Sequence, residues 1–464
     1  MVIFNPIAHS PGRRSRFKSH APREKQLPCD ALIYLGTGYC TNGWNTGHGS
    51  LQFNPNAFAH PAEQLNALHA LNFKVILHIN HAPPSLFGAS VAEKSDSPLH
   101  IHNYWARHRE DFALGVDGWW PDDGDELPIE ARLTRHRCYY EGPLLERPNV
   151  RPWSLHRNSF AGAARYGGWI WSGDTQSRWA TLAAHVPVGV NYSLSLTPFW
   201  GTDIGGFVAT RELTGELYTR WFQFAAFNPL FRSHGRTWHL RLPWGWNTGE
   251  FGPIETPGRP DPSELHNAEV EPICRKFLEL RYRLLPYNYT LMRQACDTGL
   301  PPMRALWLHY PNDPQAGKLG DEYLWGRDLL VAPVVEKGAK SRRLYLPAGI
   351  WYDWWTGEKV AGNAGIPAGE SGPRWFDRPV DLATMPSMSA PAQSCRSTLF
   401  VNLPAKPSPS QPLSVYIPAR TGSPRSMMTM ARAWTIKTTW PLGPASAGTT
   451  VATLLRLSRT RNRK

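Results

Sequence analysis

The sequence predicts an α/β protein in which a TIM (β/α)8-type barrel is followed by a small C-terminal antiparallel β-sandwich. Apolar, β-prone runs alternate with helical patterns up to about residue 300, which is typical of a parallel sheet built from βα units. Two aromatic runs, 118–122 and 166–174, end in an aspartate, as barrel strands do when they present acids at their carboxyl ends. After Pro301 the sequence changes to short β-type runs. One large domain and one smaller domain are therefore expected.

The barrel elements are predicted in order from the periodicity of apolar residues. Strands are predicted over residues 31–35, 73–79, 119–122, 152–156, 168–172 and 193–199. Helices are predicted over residues 62–72, 104–114, 216–227 and 270–298. The helix over 216–227 carries Leu217, Trp221, Phe224 and Ala225 at spacings of three and four, which indicates one apolar face.

The second domain is predicted from short β-type runs. Its strands are expected over residues 322–325, 329–333, 343–347 and 351–355. The full division is a disordered basic segment over 1–27, the barrel over 28–300, the β-sandwich over 301–386 and an irregular, disordered tail over 387–464. The tail is rich in Ser, Pro, Thr and Arg and shows no sustained period, a composition that does not bury a core.

Composition and charge exclude several functional classes. The net charge of +13 comes from the two ends: residues 1–27 carry +5 and residues 382–464 carry +11, which leaves −3 for the body. A slightly acidic body offers no basic face for nucleic acid. The six cysteines show no zinc spacing and no disulfide framework, and no run approaches the roughly 18 apolar residues of a membrane span. No H-E-x-x-H array or phosphate loop occurs, so neither a metal nor a cofactor is predicted. Oligomeric state and compartment stay open.

The two aspartates that end the aromatic runs are the candidate catalytic groups. Asp122 and Asp174 follow Trp120 and Trp171 at the ends of predicted strands. A pair of carboxyls at a sugar-sized site is the arrangement that glycoside hydrolysis uses, with one carboxyl ionised and one protonated. The alternative for Asp174 is an N-cap of the following helix, since Asp is common there. Aromatic residues at strand spacing, including Trp200, are more often core than pocket wall.

Five strings in order carry a resemblance to a known family. They are DGWWPD at 117–122, RNSFAG at 157–162, WSGD at 171–174, WGTDIGGF at 200–207 and FRSHG at 231–235. From about residue 31 to residue 386 the sequence resembles glycoside hydrolase family 31, the α-glucosidase and α-xylosidase family. The resemblance implies a retaining enzyme in which Asp122 is the nucleophile and Asp174 is the general acid and base.

The same resemblance implies a sugar-binding set. Its members are Arg157, Asp203, Phe207, Arg232 and His234. Asp203 resembles the acid that holds a sugar hydroxyl, and Phe207 is a possible wall of the pocket. The alternatives are a turn acid for Asp203, before two glycines, and a core imidazole for His234. The neighbouring acids Asp123, Asp125 and Glu126 complicate the nucleophile assignment, because clustered carboxyls raise at least one pKa.

The sequence also departs from the family. Family members usually carry an N-terminal β-sandwich and a first barrel strand before the matching region, so the resemblance implies an N-terminally truncated chain and a barrel that is incomplete there. The acid that the family often places at residues 35–38 is missing. The match ends at residue 386. The aberrant tail favours a truncated or frame-shifted gene model, a hypothesis that resequencing would test, over the alternative of a genuine divergent tail.

The predicted function is hydrolysis of terminal α-linked glucose or xylose by double displacement. The partner is a small carbohydrate, with no nucleic acid and no membrane. Two alternatives stay open: transfer of the glucosyl group to another sugar by the same two aspartates, and an inactive carbohydrate-binding remnant.

Overall fold

The structure is a computed structural model in which the chain divides into two units, residues 1–393 and 394–464. It describes residues 2–4, 21–40, 42–80, 98–123, 129–159, 162–195, 197–252, 260–360, 372–390, 414–415 and 434–435. In the second unit, the described residues form one antiparallel pair, Ser414–Val415 with Trp434–Thr435. Apart from residues 387–390, which belong to the first unit, the rest of the predicted tail lies outside the described residues.

Eight parallel strands among the described residues close into a barrel. They are β1 (Val2–Phe4), β2 (Ala31–Tyr34), β3 (Lys74–Ile79), β4 (Gly118–Pro121), β5 (Leu155–His156), β6 (Trp169–Trp171), β7 (Trp200–Gly201) and β8 (Phe231–Ser233). Hydrogen bonds join them in the orders β4-β3-β2-β1-β8 and β5-β6-β7. Two isolated parallel bridges, Trp119 with Ser154 and Asp203 with Arg232, connect the two groups and complete the circle. The predicted (β/α)8 barrel is confirmed.

The expectation of an incomplete barrel is wrong, and so is the expectation that all of residues 1–27 are disordered. The backbone of β1 pairs with β2 on one side, with Ile3 opposite Ala31, and with β8 on the other, with Ile3 opposite Arg232. A helical turn follows at residues 21–24, while residues 5–20 lie outside the described part. Three residues carry little local signal, and this strand is specified by the backbone partners that flank it.

The helices cover the outside of the barrel, and three predictions for this region are wrong. Their bounds are α1 Pro61–Ala70, α2 Pro98–Ala106, α3 Arg109–Leu114, α4 Ile129–Glu146, α5 Trp179–Leu194, α6 Gly215–Ala225, α7 Gly245–Thr248, α8 Val270–Arg283 and α9 Leu285–Thr298. Residues 104–114 and 270–298 each contain two helices where one was predicted. The second break falls at Leu284, two residues before Pro286, whose ring disfavours a continuous helix. The predicted strand over 193–199 is wrong: residues 193–194 are the end of α5, the described residues after them form a turn and loop, and the strand begins at Trp200. No helix in the described ranges is long and apolar enough to cross a membrane.

The barrel interior is filled by side chains from successive strands. The central cluster contains Ala31, Ile33, Leu35, Ile76, Trp120, Leu155, Trp171, Leu230 and Trp238. Trp120 and Trp171 are each only 2% exposed, and their rings meet edge to face at 5.4 Å. The aromatic runs therefore form core, as does the fully buried Trp200, while the aspartates that follow them reach the open end.

The C-terminal domain is antiparallel in all its pairings among the described residues. Its strands are β9 (Met303–Arg304), β10 (Tyr323–Trp325), β11 (Leu329–Val331), β12 (Ser341–Leu346), β13 (Tyr352–Asp353), β14 (Arg374–Pro379) and β15 (Ser387–Ser389). One sheet has the order β13-β15-β11-β10-β9, and β12 pairs with β14. The predicted boundary at residue 386 is wrong, because β15 lies between β11 and β13 and its Met388 is fully buried in the core.

Candidate active site

The candidate site is a cavity of about 190 Å³ at the carboxyl ends of the barrel strands. Asp122 comes directly after β4, Arg157 directly after β5, and Asp174 three residues after β6. Parallel strands of a barrel bring these positions to the same end. Six of the seven predicted site residues line the cavity: Asp122, Arg157, Asp174, Asp203, Phe207 and His234. The seventh, Arg232, is fully buried and forms an ion pair with Asp203.

The two predicted catalytic carboxylates face the same arginine nitrogen. Nη1 of Arg157 lies 3.6 Å from Oδ1 of Asp122 and 3.1 Å from Oδ1 of Asp174. The two carboxylate oxygens are therefore no more than 6.7 Å apart, the sum of these distances. The structure thus brings together two acids that are 52 positions apart in the chain.

Asp122 is surrounded by groups that favour its ionised form. Its Oδ2 accepts a hydrogen bond from His78 Nε2 at 3.0 Å, and its Oδ1 accepts one from the Asp123 backbone N–H at 2.9 Å. Burial alone raises the pKa of a carboxyl and is the largest single influence here. The hydrogen bond from His78, the electrostatic attraction of the same side chain, the Asp123 N–H and the Arg157 charge together outweigh burial and lower the pKa of Asp122 to about 2. Asp122 is therefore a carboxylate at neutral pH.

Asp174 has the opposite electrostatic environment. Burial raises the pKa of its carboxyl, the Asp122 charge raises it further, and Arg157 partly opposes both. Its side chain is 39% exposed. The alternative role as an N-cap is wrong, because α5 begins at Trp179 and the N-cap residue is Arg178. The backbone N–H of Trp179 donates to Glu212.

Asp203 and Arg232 form a buried ion pair at the inner side of the cavity. Both side chains are fully buried, and the Arg232 guanidinium lies 4.4 Å from the ring centre of Trp120 and 4.9 Å from that of Trp171. Burial raises the pKa of Asp203 to about 7 against the lowering effect of Arg232. Oδ2 of Asp203 is buried and has no hydrogen-bond partner among the described residues. A hydroxyl donor in the cavity would satisfy this oxygen.

Phe207 and His234 form an aromatic part of the cavity lining. Their rings lie 5.2 Å apart, and His234 also meets the edge of Trp120 at 5.0 Å. Burial, with the Arg232 charge adding to it, lowers the pKa of His234 well below its ordinary value, so the imidazole is neutral at pH 7. Neutral rings of this kind provide apolar surface to a sugar face.

The cavity lining also contains residues that were not predicted as site residues from the sequence, among them the polar residues Tyr39, His78 and Asp123. His78 interrupts the apolar run of residues 75–79 in β3, and a lone polar residue in a buried strand was the available signal. The Tyr39 hydroxyl donates to Asp123 Oδ2 at 2.7 Å, and 43% of Tyr39 is exposed. Asp123 has a left-handed φ of 55°. These residues come from loops and strand ends that only the tertiary structure brings to Asp122.

The described parts of the chain contain no group of three or more His, Cys, Asp or Glu side chains arranged to hold a metal ion. The charged groups of the cavity are instead arranged as contacts between carboxylates and arginines.

Comparison with known proteins identifies the family. The glycosyl hydrolases family 31 TIM-barrel domain matches residues 97–291, and the glycosyl hydrolase family 31 C-terminal domain matches residues 299–390. The chain belongs to glycoside hydrolase family 31. The two matched domains together cover more than half of the chain, and the second match begins directly after α9.

Relatives in family 31 include enzymes with two substrate preferences. The chain is 27% identical over 404 residues to the alpha-xylosidase of Saccharolobus solfataricus, a match that covers 78% of this chain and 50% of that protein. It is 38% identical over 291 residues to alpha-glucosidase 2 of Bacillus thermoamyloliquefaciens, covering 57% and 34%. The chain thus spans half the length of the first relative and about a third of the second.

Solved family 31 structures resemble the fold over most of this chain. A Flavobacterium johnsoniae dextranase complexed with glucose superposes with a TM-score of 0.69 at 26% identity, covering 84% of this chain and 51% of that one. An alpha-xylosidase from Xanthomonas citri gives 0.67 at 26% identity, covering 84% and 46%. The barrel and the C-terminal domain are therefore those of the family.

Proposed function

We propose that this chain is a retaining α-glycoside hydrolase that acts on terminal α-linked glucose or xylose. Asp122 is the nucleophile and Asp174 is the general acid and base. Relatives named alpha-xylosidase and alpha-glucosidase support the substrate class, and so does the family 31 dextranase that was crystallised with glucose.

The observation that carries the proposal is the pair of carboxyls around Arg157. Retaining glycosidases hold their two carboxyls about 5 to 5.5 Å apart, whereas inverting enzymes need roughly 6.5 to 9.5 Å to admit a water. The limit of 6.7 Å between the Asp122 and Asp174 oxygens favours the shorter class. The pKa shifts of the two acids run in opposite directions, favouring the ionised form of Asp122 and the protonated form of Asp174, which is the division that this mechanism requires.

The reaction then proceeds in two displacements. First, an Asp122 oxygen attacks the anomeric carbon, the bond from that carbon to the glycosidic oxygen breaks, and the leaving oxygen takes the Asp174 proton. Second, a water attacks the anomeric carbon, Asp174 takes a proton from that water, and the ester bond breaks to release the Asp122 carboxylate. Two inversions give net retention.

The remaining predicted residues would bind the sugar. Asp203 would accept a hydroxyl hydrogen through its unpartnered Oδ2, and Arg232 would hold that carboxylate in position. Arg157, His234 and Phe207 complete the lining. Hydrogen bonds from fixed groups can strengthen in the transition state, which is how binding accelerates the reaction.

The first experiment measures hydrolysis of nitrophenyl α-glucoside and α-xyloside by the purified chain, with NMR detection of the first-formed anomer. Retention requires the α-anomer to appear first. A first-formed β-anomer would refute double displacement. Binding without turnover would support an inactive remnant, and oligosaccharide products would support transfer.

A second experiment tests the residue roles. Asp122→Ala should lose more than about 10³-fold in kcat. A fluorinated glycosyl fluoride that traps the ester should label Asp122, as peptide mass spectrometry would show, and Asp123→Asn is the control that should still be labelled. Label on Asp123 in the wild type would overturn the assignment. Asp174→Asn should lose about 10²- to 10⁴-fold on substrates with poor leaving groups and less on a glycosyl fluoride, which needs no proton.

A further inference from the structure

His78 makes the hydrogen bond that holds one oxygen of Asp122. The residue is fully buried within β3, and Nε2 lies 3.0 Å from Asp122 Oδ2. The other oxygen, Oδ1, is engaged by the Asp123 backbone N–H. His78 is therefore the side chain that orients the carboxylate from the side of β3.

The other ring nitrogen determines where the His78 proton lies. Nδ1 is 3.3 Å from the backbone N–H of Gly36, and a backbone N–H can only donate. Nδ1 must then supply a lone pair, so the proton is on Nε2 and points to Asp122. A backbone group thus selects the tautomer that donates to the carboxylate.

The position of the imidazole is constrained by its neighbours. The ring meets Trp120 at 4.4 Å and Tyr39 at 4.9 Å, both edge to face. The indole N–H of Trp44 donates to the His78 carbonyl at 2.6 Å. These contacts leave the ring little freedom to turn away, so the hydrogen bond to Asp122 is pre-organised.

We propose that His78 is a positioning residue that keeps Asp122 ionised and oriented for attack on the anomeric carbon. The inference rests on the proposed function, since it assigns a role within that reaction. It matters because hydrogen bonds to a carboxylate stabilise its charged form, and only the charged form attacks. The low pKa of Asp122 agrees with this role.

Other groups also act on the Asp122 charge and must stay constant in a test. They are the Asp123 backbone N–H, Arg157 after β5, Asp174 after β6, Arg232 in β8 and Tyr39 after β2, and His234 and Arg236 line the same cavity. Substitution at His78 alone leaves all of them in place, so a change in the acid limb of the pH profile reports the lost hydrogen bond.

The test compares variants that lack or keep a donor at this position. His78→Phe keeps a ring and removes the donor, and His78→Met does the same without a ring if the Phe variant does not fold. His78→Gln keeps an N–H near the position of Nε2. His185→Phe is the control, because His185 is also buried but packs against Trp200 and Trp221.

The measurement is kcat/KM for a nitrophenyl glycoside as a function of pH, in which the acid limb reports the ionisation of Asp122. Circular dichroism verifies that each variant is folded. The limb should move up by about one pH unit or more in the Phe or Met variant. It should return towards the wild type in the Gln variant and stay unchanged in the His185 control. A folded, active Phe or Met variant with the wild-type limb would overturn the proposal.

A second readout separates this inference from the proposed function. Titration of the Asp122 carboxyl by ¹³C NMR, with the Asp122→Asn spectrum identifying its signal, needs no turnover. An upward shift of the Asp122 pKa in the Phe or Met variant would support the positioning role of His78, even if the wild type shows no hydrolysis. A wild type without hydrolytic activity would refute the proposed function but not this role. An unshifted signal would refute the positioning role even in an active enzyme.

Discussion

Replacement of Arg232 by methionine should make the stability of this protein fall steeply above neutral pH. Arg232 and Asp203 are both fully buried and paired, and the pKa of Asp203 is raised from 3.8 to about 7 by burial despite the arginine. A carboxyl whose pKa is higher in the folded state costs stability as pH rises from its unfolded to its folded pKa. In the wild type this loss ends near pH 7, where folded Asp203 ionises beside Arg232.

Without Arg232, Asp203 has no compensating cation in contact and its folded pKa must rise further. The variant should therefore continue to lose about 1.4 kcal/mol per pH unit above pH 7. The free energy of unfolding of the variant should differ from that of the wild type by a pH-dependent amount that is small at pH 6 and about 3 kcal/mol at pH 9. This value lies within the range of about 3 to 5 kcal/mol for breaking a buried ion pair.

The assay is urea unfolding followed by tryptophan fluorescence at several values between pH 6 and pH 9. The matched control is the double variant Arg232→Met with Asp203→Asn, whose amide does not ionise, so the extra pH dependence should disappear. A loss in Arg232→Met that is equal at pH 6 and pH 9, or one that persists in the double variant, would refute the reasoning.

Other regions give further predictions. Arg281 donates to three backbone carbonyls in the segment after α6, those of residues 226, 228 and 229, at 2.8 to 2.9 Å. Arg281→Met should therefore lower the free energy of unfolding by about 3 to 6 kcal/mol, whereas the exposed Arg283→Met on the same helix should change it very little; equal urea midpoints for the two variants would contradict this. Burial raises the pKa of the Cys40 thiol to about 11, so iodoacetamide at pH 8 should modify the exposed Cys296 first; peptide mass spectra showing the reverse order would contradict it. Gly201→Ala would bring a methyl group to 2.5 Å from a backbone carbonyl oxygen, so we expect poor folding by circular dichroism, and a wild-type melting temperature would disprove the clash.

The local sequence predicted an element correctly where the spacing of its apolar residues and its length both indicated a strand. Residues 118–122 predicted a strand ending in an acid, and the structure has β4 followed by Asp122. The strand predicted over residues 193–199 was wrong, because Ser and Leu alternate over 193–196 with the period of a strand, although α5 continues to Leu194. Packing against the barrel decides for α5, which has Val186 and Val190 buried.

The sequence-based predictions failed mainly where an element or a site residue depends on contacts between segments that are distant in the chain. The three residues of β1 were predicted to be disordered because nothing local distinguishes them, yet their backbone pairs with β2 and β8. Similarly, His78 was not predicted to be a site residue, because its partner Asp122 is 44 positions away. Strand pairing and side-chain contacts of this range depend on the whole barrel being formed.

The sequence by itself determined the α/β architecture, the two aspartates and their likeness to family 31, because apolar period and short strings of residues are local properties. Only the tertiary structure decided that Arg157 lies between Asp122 and Asp174, that one oxygen of Asp203 has no hydrogen-bond partner among the described residues and that His78 contacts Asp122. The physical reason is that pKa values and hydrogen bonds depend on burial and on the distance between charges, which chain folding sets and residue order does not show.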